Sequence, residues 1–248
     1  MNTTLPTPSP IPVIGGGHGW LAVEKPAGMS VHNDPGHDLC SLLNTYLESN
    51  KAMAGEFDCD WSYGLHPVHR LDKETSGIIL LACRKRVFHH LALQFSQGHV
   101  TKHYLALVHG PVNEPGGQGL WQWPLTSSAG GRRNPQGRGR RSPSQTQYRV
   151  RKHSRHHSLL DCYPLTGRIH QIRRHAALAG HPIVGDQRYG SPRACRYVAR
   201  HHNFTGMALH AASLTIKPPG FDTFQTFESV GLPSEIAMLI DADQLRTN

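Results

Sequence analysis

The spacing of hydrophobic residues along the chain predicts short strands that alternate with helices. Continuous apolar runs are typical of buried strands, and repeats at three and four positions are typical of helices with one buried face. Strands are expected at Trp20–Val23, Gly77–Cys83, Thr101–His109, Gln145–Arg151, His157–Tyr163 and Met207–Ile216. Helices are expected at Leu39–Leu47, with Asp38 as the N-cap, and at Val87–Gln97, Arg168–Gly180 and Ser234–Leu239. Hairpins mixed with separated helices favour an α+β fold over a doubly wound sheet.

Three segments lack such a pattern. Residues 1–19 contain no charged residue and several prolines and glycines, so a flexible lead-in is expected rather than a signal peptide or a membrane span. Residues 51–64 are expected to form a polar loop. The long connection 110–144 is rich in Pro and Gly, and we expect a mobile basic insertion at about 127–145, which either contacts a ligand or is merely solvated. Residues 20–248 are long enough for one large domain or two closely joined halves.

Positive charge is concentrated in one part of the chain. The segment from Arg132 to Arg200 holds 16 of the 26 Lys and Arg residues but only 2 of the 17 Asp and Glu residues. A one-sided basic field attracts polyanions, so a nucleic acid is the expected partner. The alternative is a basic loop with ordinary solvated faces.

Cysteine and histidine patterns exclude several kinds of site. The five cysteines are widely spaced and form neither a disulfide framework nor a zinc motif, which fits a reducing cytoplasm. The 19 histidines include adjacent pairs but no His-Glu-x-x-His pattern, and no Walker-type glycine loop occurs. We therefore expect no metal, no nucleotide cofactor and no membrane association.

One carboxylate stands out as a candidate for chemistry. Asp72 lies in the segment His69–Gly77, between the basic Arg70 and a Thr-Ser-Gly turn, directly before the apolar run Ile78–Ala82. An aspartate in this setting can be an N-cap, a surface ion-pair partner or a catalytic group, and the segment alone leaves these readings open.

A second segment supplies a possible partner for it. Arg168 follows Thr166-Gly167 at the start of a predicted helix and can direct its guanidinium at a carboxylate across a cleft. Such pairing would keep Asp72 ionised. Equally, Arg168, Arg173 and Arg174 could bind only phosphates. Tyr104, on a predicted strand, could be a core residue or could stack on a nucleic-acid base.

Five stretches together resemble the RluA family of RNA pseudouridine synthases, in the order that is usual for that family and over roughly Trp20–Pro219. They are Leu21–His32, the Asp72 segment, Lys102–Val108, Thr166–Gly190 and Leu209–Ala211. The resemblance implies a stand-alone catalytic domain over residues 20–248, without the small RNA-binding module that precedes it in many members. It also implies a mixed, mainly antiparallel central sheet with flanking helices and a catalytic cleft.

The resemblance further implies how the residues act. Specific uridines in structured RNA, a stem-loop of ribosomal or transfer RNA, would be flipped out and isomerised to pseudouridine by a monomeric, cofactor-free enzyme. Asp72 would be the catalytic aspartate, Arg168 its basic partner, and Tyr104 would stack on the uracil and take the proton from carbon 5. Substrate contacts are expected from the following residues: Arg70, which would fill the gap left by the flipped base, Leu209 on the floor of the pocket, and Lys102, Arg173 and Arg174.

Two other functions stay open at this point. Charge alone equally supports a non-catalytic RNA-binding or RNA-chaperone protein on the same fold. A hydrolytic nucleoside or glycoside enzyme usually needs two carboxylates at the bond, and Glu74 is the only acid close to Asp72 in the sequence.

Overall fold

Strands and helices form largely where the apolar spacing predicts them. The computed structural model describes residues 11–113 and 115–244. The strands are β1 (Val13–Gly17), β2 (Trp20–Lys25), β3 (His66–Pro67), β4 (Ser76–Ala82), β5 (Thr101–His109), β6 (Gln118–Trp121), β7 (Leu125–Thr126), β8 (Arg141–Ser142), β9 (Thr146–His153), β10 (His157–Pro164), β11 (Leu209–Ile216) and β12 (Gln225–Glu228). The helices are α1 (Leu39–Ser49), α2 (Lys51–Glu56), α3 (Lys85–Ser96), α4 (Gln171–Leu178), α5 (Pro192–His202) and α6 (Ser234–Gln244).

The described chain divides into two units, and neither is continuous in sequence. The first unit extends to Val100 and takes in Ser213–Ser229, and the second comprises Thr101–Ala212 and the residues from Val230 onward. The division falls inside β11, whose first four residues belong to the second unit and whose last four belong to the first.

In the first unit, β4 is the most deeply buried strand. Its residues Ile78–Ala82 are at most 1% exposed, as its continuous apolar run predicts. It pairs antiparallel with β2 and β3, β2 also pairs with β1, and β12 pairs with the second half of β11. Helix α3 buries Val87 and Leu91 against the same core as Trp20. Helix α1 starts as predicted, since Asp38 Oδ1 accepts a hydrogen bond from the Ser41 backbone N–H at 2.8 Å.

In the second unit, an antiparallel sheet carries three helices. The strands pair in the order β5, β10, β9 and β6. Ile172 of α4, Val198 of α5 and Ile236 of α6 all join the core formed by β5 and β10. Because all these pairings are antiparallel and the helices lie outside the strand ladder, the predicted α+β fold with a mainly antiparallel sheet is confirmed.

Several local predictions are wrong. Within the expected flexible lead-in, residues 13–17 form β1 against β2, whereas residues 1–10 lie outside the described part of the chain. The expected polar loop 51–64 begins with α2, capped by the Asn50 side chain, which accepts a bond from the Met53 N–H. Helix α4 starts at Gln171, three residues after Arg168, and ends at Leu178.

The insertion at 127–145 is ordered, contrary to the expected mobile arm. Strands β7 and β8 close its base as an antiparallel pair. Inside it, Gly131 and Asn134 form a β-bridge, and the Thr126 backbone N–H donates to the Gln136 carbonyl at 3.1 Å. All five arginines of the insertion are exposed, namely Arg132, Arg133, Arg138, Arg140 and Arg141.

The carboxylate of Asp243 attaches helix α6 to the β9–β10 turn. Asp243 accepts hydrogen bonds from the Ser154 hydroxyl at 2.5 Å and from the His156 backbone N–H at 2.7 Å. The His156 and His157 Nδ1 atoms lie 2.7 and 3.1 Å from its oxygens. Burial of Asp243 favours its neutral form, but the hydrogen bonds from Ser154 and His156 outweigh that effect and hold the pKa of Asp243 well below its usual value.

This pKa predicts acid-sensitive stability. A carboxyl whose pKa is lower in the folded state stabilises the fold above its unfolded-state pKa of about 4, and that contribution is lost as the pH falls further. We expect Asp243→Ala to lower the free energy of unfolding most at roughly pH 6 to 7. Below about pH 4, the difference in free energy between the variant and the parent protein should shrink steadily. Urea denaturation at a series of pH values measures this; a difference that does not change with pH would contradict it.

Candidate active site

Asp72 lies on a loop that leads into β4 and is held by its backbone. The Thr75 N–H donates to the Asp72 carbonyl at 3.1 Å, which closes a tight turn, and the Gly28 N–H donates to the Lys73 carbonyl at 2.9 Å. Leu71, 6% exposed, anchors the loop in the interior. The Asp72 side chain itself is half-buried. The carboxylate is thus presented by a fixed backbone rather than by a free surface loop.

Beneath this loop, Lys25 is completely buried, with no exposed surface. Its Nζ donates to the carbonyls of Pro26 at 2.8 Å, Met29 at 2.7 Å and Lys73 at 3.0 Å. An ammonium group has three donors, so these three bonds use all of them. One side chain therefore ties the end of β2 to the Asp72 loop.

The charge on Lys25 also acts on the loop. Burial lowers the pKa of Lys25 to about 8, and the negative charges of Glu74 and Asp72 oppose that shift. At neutral pH the side chain is therefore still mostly an ammonium ion, and it attracts the Asp72 carboxylate electrostatically.

The residues before Asp72 are held by His69. The Leu80 N–H of β4 donates to His69 Nε2 at 3.0 Å, and the imidazole stacks on Phe95 of α3 with 4.8 Å between ring centroids. Arg70, the next residue, has an exposed side chain. Its neighbours are fixed while its guanidinium can reach outward.

In the second unit, β5 carries Tyr104 and Lys102. Tyr104 is opposite Cys162 of β10, and its half-buried ring packs against the apolar core. Lys102 Nζ donates to the Thr166 carbonyl at 3.4 Å, and burial lowers the pKa of Lys102. The ammonium group therefore lies beside the turn that carries Arg168.

That turn is organised by Gln171, the first residue of α4. Its Oε1 accepts from the Thr166 hydroxyl at 2.6 Å and from the Arg168 backbone N–H at 3.0 Å. Its Nε2 donates to the Gln145 carbonyl at 2.9 Å and to the Thr146 hydroxyl at 3.0 Å. The Arg168 side chain is exposed, and its Nε donates to the Pro143 carbonyl at 3.3 Å. Gln171 thus fixes the backbone of Arg168 and leaves its guanidinium accessible.

The other predicted contacts fall in two groups. Leu209 begins β11 and is 4% exposed, as part of the core of the second unit. Lys102, Tyr104, Arg168 and Leu209 belong to the second unit, whereas Arg70 and Asp72 belong to the first. The roles of these residues, including the pairing of Asp72 with Arg168, stay predictions.

Arg173 and Arg174, which were expected to bind substrate, are both buried and bonded to protein groups. Arg173 is 5% exposed and forms a bidentate ion pair with the buried Asp186, Nε to Oδ2 at 2.7 Å and Nη2 to Oδ1 at 2.9 Å. Its guanidinium also lies 5.3 Å from the ring centroid of Tyr189. The guanidinium of Arg173 is thus bonded to Asp186 and has little exposed surface left for a phosphate.

Arg174 is fully buried and holds the basic insertion in place. Its guanidinium donates to the carbonyls of Pro135 at 2.5 Å, Thr126 at 3.0 Å and Ile169 at 3.2 Å, and also to the Gln136 carbonyl. It acts on the exposed arginines of the insertion only indirectly, by ordering the loop that carries them.

Lys25, Gln171 and Arg174 were missed as supports of the site. Their shared signal is a long polar side chain next to apolar positions, at the end of a strand or the start of a helix. That signal is weak, because the carbonyls they bind come from residues up to 48 positions away in the sequence.

Comparison with known proteins defines the class. The family model described as RNA pseudouridylate synthase matches residues 19–178. Ribosomal large subunit pseudouridine synthase C of Vibrio vulnificus (strain CMCP6) is 35% identical over 206 residues, which cover 80% of this chain and 59% of the relative. The uncharacterized RNA pseudouridine synthase YlyB of Bacillus subtilis (strain 168) is 32% identical over 228 residues, 92% of this chain and 70% of that protein.

A solved structure agrees with these relatives. The human RNA pseudouridylate synthase domain containing 1 superimposes with a TM-score of 0.68 and 26% identity, covering 96% of this chain and 90% of that one. The chain belongs to the RNA pseudouridylate synthase family, and its resemblance to the RluA group of that family is confirmed. It spans about three fifths of the length of the Vibrio relative.

The buried lysine leads to a stability prediction. We expect Lys25→Met to lower the free energy of unfolding by roughly 3 kcal/mol, because three carbonyls lose the charged donor that joins them. Amide hydrogen exchange should also accelerate at residues 72–75. The matched control is Lys73→Met, in the same loop but with an exposed side chain, for which urea denaturation should show little change. Equal effects of the two substitutions would contradict the role assigned to Lys25.

The buried arginine leads to a second prediction. Arg174→Leu should increase hydrogen exchange across residues 127–142 and destabilise the fold by about 3 kcal/mol, since several carbonyls lose a charged donor. Arg138→Leu removes the same charge from an exposed position of the insertion and should leave exchange unchanged. Unaltered protection in the Arg174 variant would show that the insertion is ordered without it.

Proposed function

We propose that this chain isomerises uridine in RNA to pseudouridine, with Asp72 as the essential catalytic group. The observation that carries the proposal is the placement of Asp72, a half-buried carboxylate on a backbone-fixed loop above the buried ammonium of Lys25. Membership of the RNA pseudouridylate synthase family supports it. A carboxylate held in one position suits a reaction in which positive charge develops at a sugar carbon.

The reaction needs no oxidant or second substrate. The bond between ribose carbon 1 and uracil N1 breaks, the uracil turns, and a new bond forms between the same ribose carbon and uracil carbon 5. The proton leaves carbon 5, and N1 ends with a proton. Asp72 either adds to the ribose, stabilises its positive charge or removes a ribose proton, and each of these roles requires an ionised carboxylate.

Tyr104 and Arg168 complete the proposed catalytic set. Tyr104, half-buried on the edge of an apolar core, stacks on the flipped uracil and takes the proton from carbon 5. Arg168 pairs with Asp72 and keeps it charged. Support for this role is the turn held by Gln171, which fixes the Arg168 backbone while its guanidinium stays exposed.

Substrate contacts are proposed for three further residues. Exposed Arg70 fills the stack after the base is flipped, which offsets part of the few kcal/mol that unstacking costs. Lys102 binds a phosphate beside the Arg168 turn, and Leu209 forms the apolar floor under the uracil. We propose structured RNA as the substrate, ribosomal or transfer RNA, and the names of the Vibrio relatives make large-subunit ribosomal RNA the first to test.

The setting of the enzyme is part of the proposal. We propose a cytoplasmic monomer that works without a cofactor. The five cysteines are free thiols, and a reducing compartment would keep them so. Within residues 11–113 and 115–244, no helix is both long and apolar enough to span a membrane.

The test exchanges one carboxylate for its amide. Asp72→Asn should reduce pseudouridine formation at least about 1000-fold while RNA binding is retained, since the amide keeps the size but not the charge or basicity. Glu74→Gln, two residues along the same loop and exposed, should leave the rate within about twofold. Tritium release from RNA labelled at uracil carbon 5 measures the rate, and mapping of pseudouridine in total RNA locates the product.

The possible outcomes separate the functions. Undiminished tritium release by the Asp72 variant would exclude its catalytic role. Tight RNA binding by the parent protein without any tritium release would indicate the non-catalytic RNA-binding alternative. Free uracil as the product would indicate a hydrolase instead.

A further inference from the structure

A basic cavity lies in the second unit, apart from the residues of that unit that are assigned to catalysis. It is a cavity of about 750 Å³ between α5, the end of β5 and the β9–β10 turn. Its walls include three arginines and five histidines, which is an unusual density of cationic and titratable groups. They are Arg193, Arg196, Arg200, His109, His156, His157, His201 and His202.

Helix α5 gives this cavity its charge. It buries Cys195 and Val198, and it exposes Arg193, Arg196 and Arg200, which follow one another at intervals of three and four positions on one face. Within the part of the chain that the structure describes, none of the ion pairs includes any of these three arginines. Like charges at such spacing repel each other along a helix. An anionic ligand would relieve that repulsion.

An exposed aromatic ring lies among these arginines. Tyr197 is 49% exposed and packs on His201, with 4.4 Å between ring centroids. Basic side chains that alternate with an exposed aromatic ring are the pattern that single-stranded nucleic acids recognise, with phosphates on the cations and bases on the ring.

The single carboxylate in the cavity does not cancel this charge. Asp243 already accepts hydrogen bonds from Ser154 and His156 and lies beside His157 Nδ1. Burial and the neighbouring His157 lower the pKa of His109 to about 4, so this imidazole is uncharged at neutral pH. The positive charge is therefore carried by the arginine rim, which is accessible to a ligand.

The position of the cavity separates it from the proposed catalytic residues of the same unit. His109 and His157 face each other at one end of the β5–β10 pair, whereas Tyr104 and Cys162 are paired five residues further along. At about 3.3 Å per residue, this places the cavity roughly 17 Å from Tyr104 along the strands. A ligand that filled it would not occupy the place of the target uracil.

We propose that the α5 face, formed by Arg193, Arg196, Tyr197 and Arg200, binds an unpaired segment of the RNA substrate away from the target nucleotide. The inference rests on the proposed function for the identity of the RNA, but not for the binding itself. An acidic polypeptide would satisfy the arginines, but RNA carries a base that can stack on Tyr197 at every nucleotide, so RNA is the better fit.

The test uses a uridine-free, single-stranded RNA oligonucleotide of mixed sequence, which can bind but cannot react. Arg193→Ala/Arg196→Ala/Arg200→Ala should weaken binding at least about tenfold at 0.1 M salt. The slope of log affinity against log salt should fall by about 2, at about 0.7 per lost phosphate contact. The triple Arg→Lys variant keeps the charge and should recover most of the affinity. Tyr197→Ala should weaken binding at least about fivefold, and Tyr197→Phe should not.

Matched controls make the result specific. Lys85→Ala/Arg86→Ala removes exposed charge from α3 in the first unit and should change the affinity less than the α5 variants. With a uridine-containing substrate, the α5 triple variant should raise KM and leave kcat near that of the parent protein, because Asp72, Tyr104 and Arg168 are intact.

Two results would overturn the proposal. One is binding of the uridine-free RNA by the α5 triple variant with the affinity and salt slope of the α3 control. The other is equal displacement of that RNA by polyglutamate of matched charge, which would assign the surface to an acidic polypeptide. Neither result depends on the Asp72→Asn experiment, so the two proposals can fail separately.

Discussion

The buried ammonium group of Lys25 is the constraint on which the proposed catalytic loop depends. Its three hydrogen bonds join the carbonyls of Pro26 and Met29, just after the end of β2, to the Lys73 carbonyl in the loop that leads into β4. A buried charge is tolerated only when its hydrogen bonds are made, so any movement of the loop leaves either the ammonium or its carbonyls unsatisfied. Other conformations of the loop are therefore higher in free energy. This difference fixes the loop, and no rigidity of its own residues is required.

In the second unit, loops are likewise held by hydrogen bonds from buried side chains. One of these side chains is neutral, the other is cationic, and both belong to helix α4. Gln171 at the start of α4 makes four hydrogen bonds to the turn before it and to the chain around Gln145 and Thr146. Three residues later, Arg174 binds the carbonyls of the basic insertion. Short α4 thus uses its buried face for polar attachment of two loops, each of which presents arginines to solvent.

Much of the fold could be predicted from the sequence, because burial leaves a clear pattern. The apolar runs Ile78–Ala82 of β4 and Leu105–Val108 of β5 are buried on both faces, as continuous apolar runs predict, and Asp38 caps α1 through a local contact. Asp72 and Arg168 stand out because each is a charged residue directly beside a short turn of small polar residues.

The elements that the sequence did not predict depend on partners distant in sequence. Strand β1 is rich in glycine and is held by β2, and the α5 pattern is dominated by arginine and histidine. Arg173 and Arg174 look like surface charges until Asp186 and the insertion carbonyls are placed around them.

The boundary inside β11 has a consequence for how the protein is made. A chain emerging from the ribosome delivers residues up to Val100 first, but the strand segments that complete the first unit, residues 213–229, come after nearly all of the second unit. Domains tend to fold as units during synthesis. The first unit, which carries Asp72, therefore cannot be completed when β2 and β4 are synthesised. It lacks residues 213–229 until most of the second unit, including Tyr104 and Arg168, has been synthesised. The unit that is translated first can therefore be completed only after most of the other unit has been synthesised.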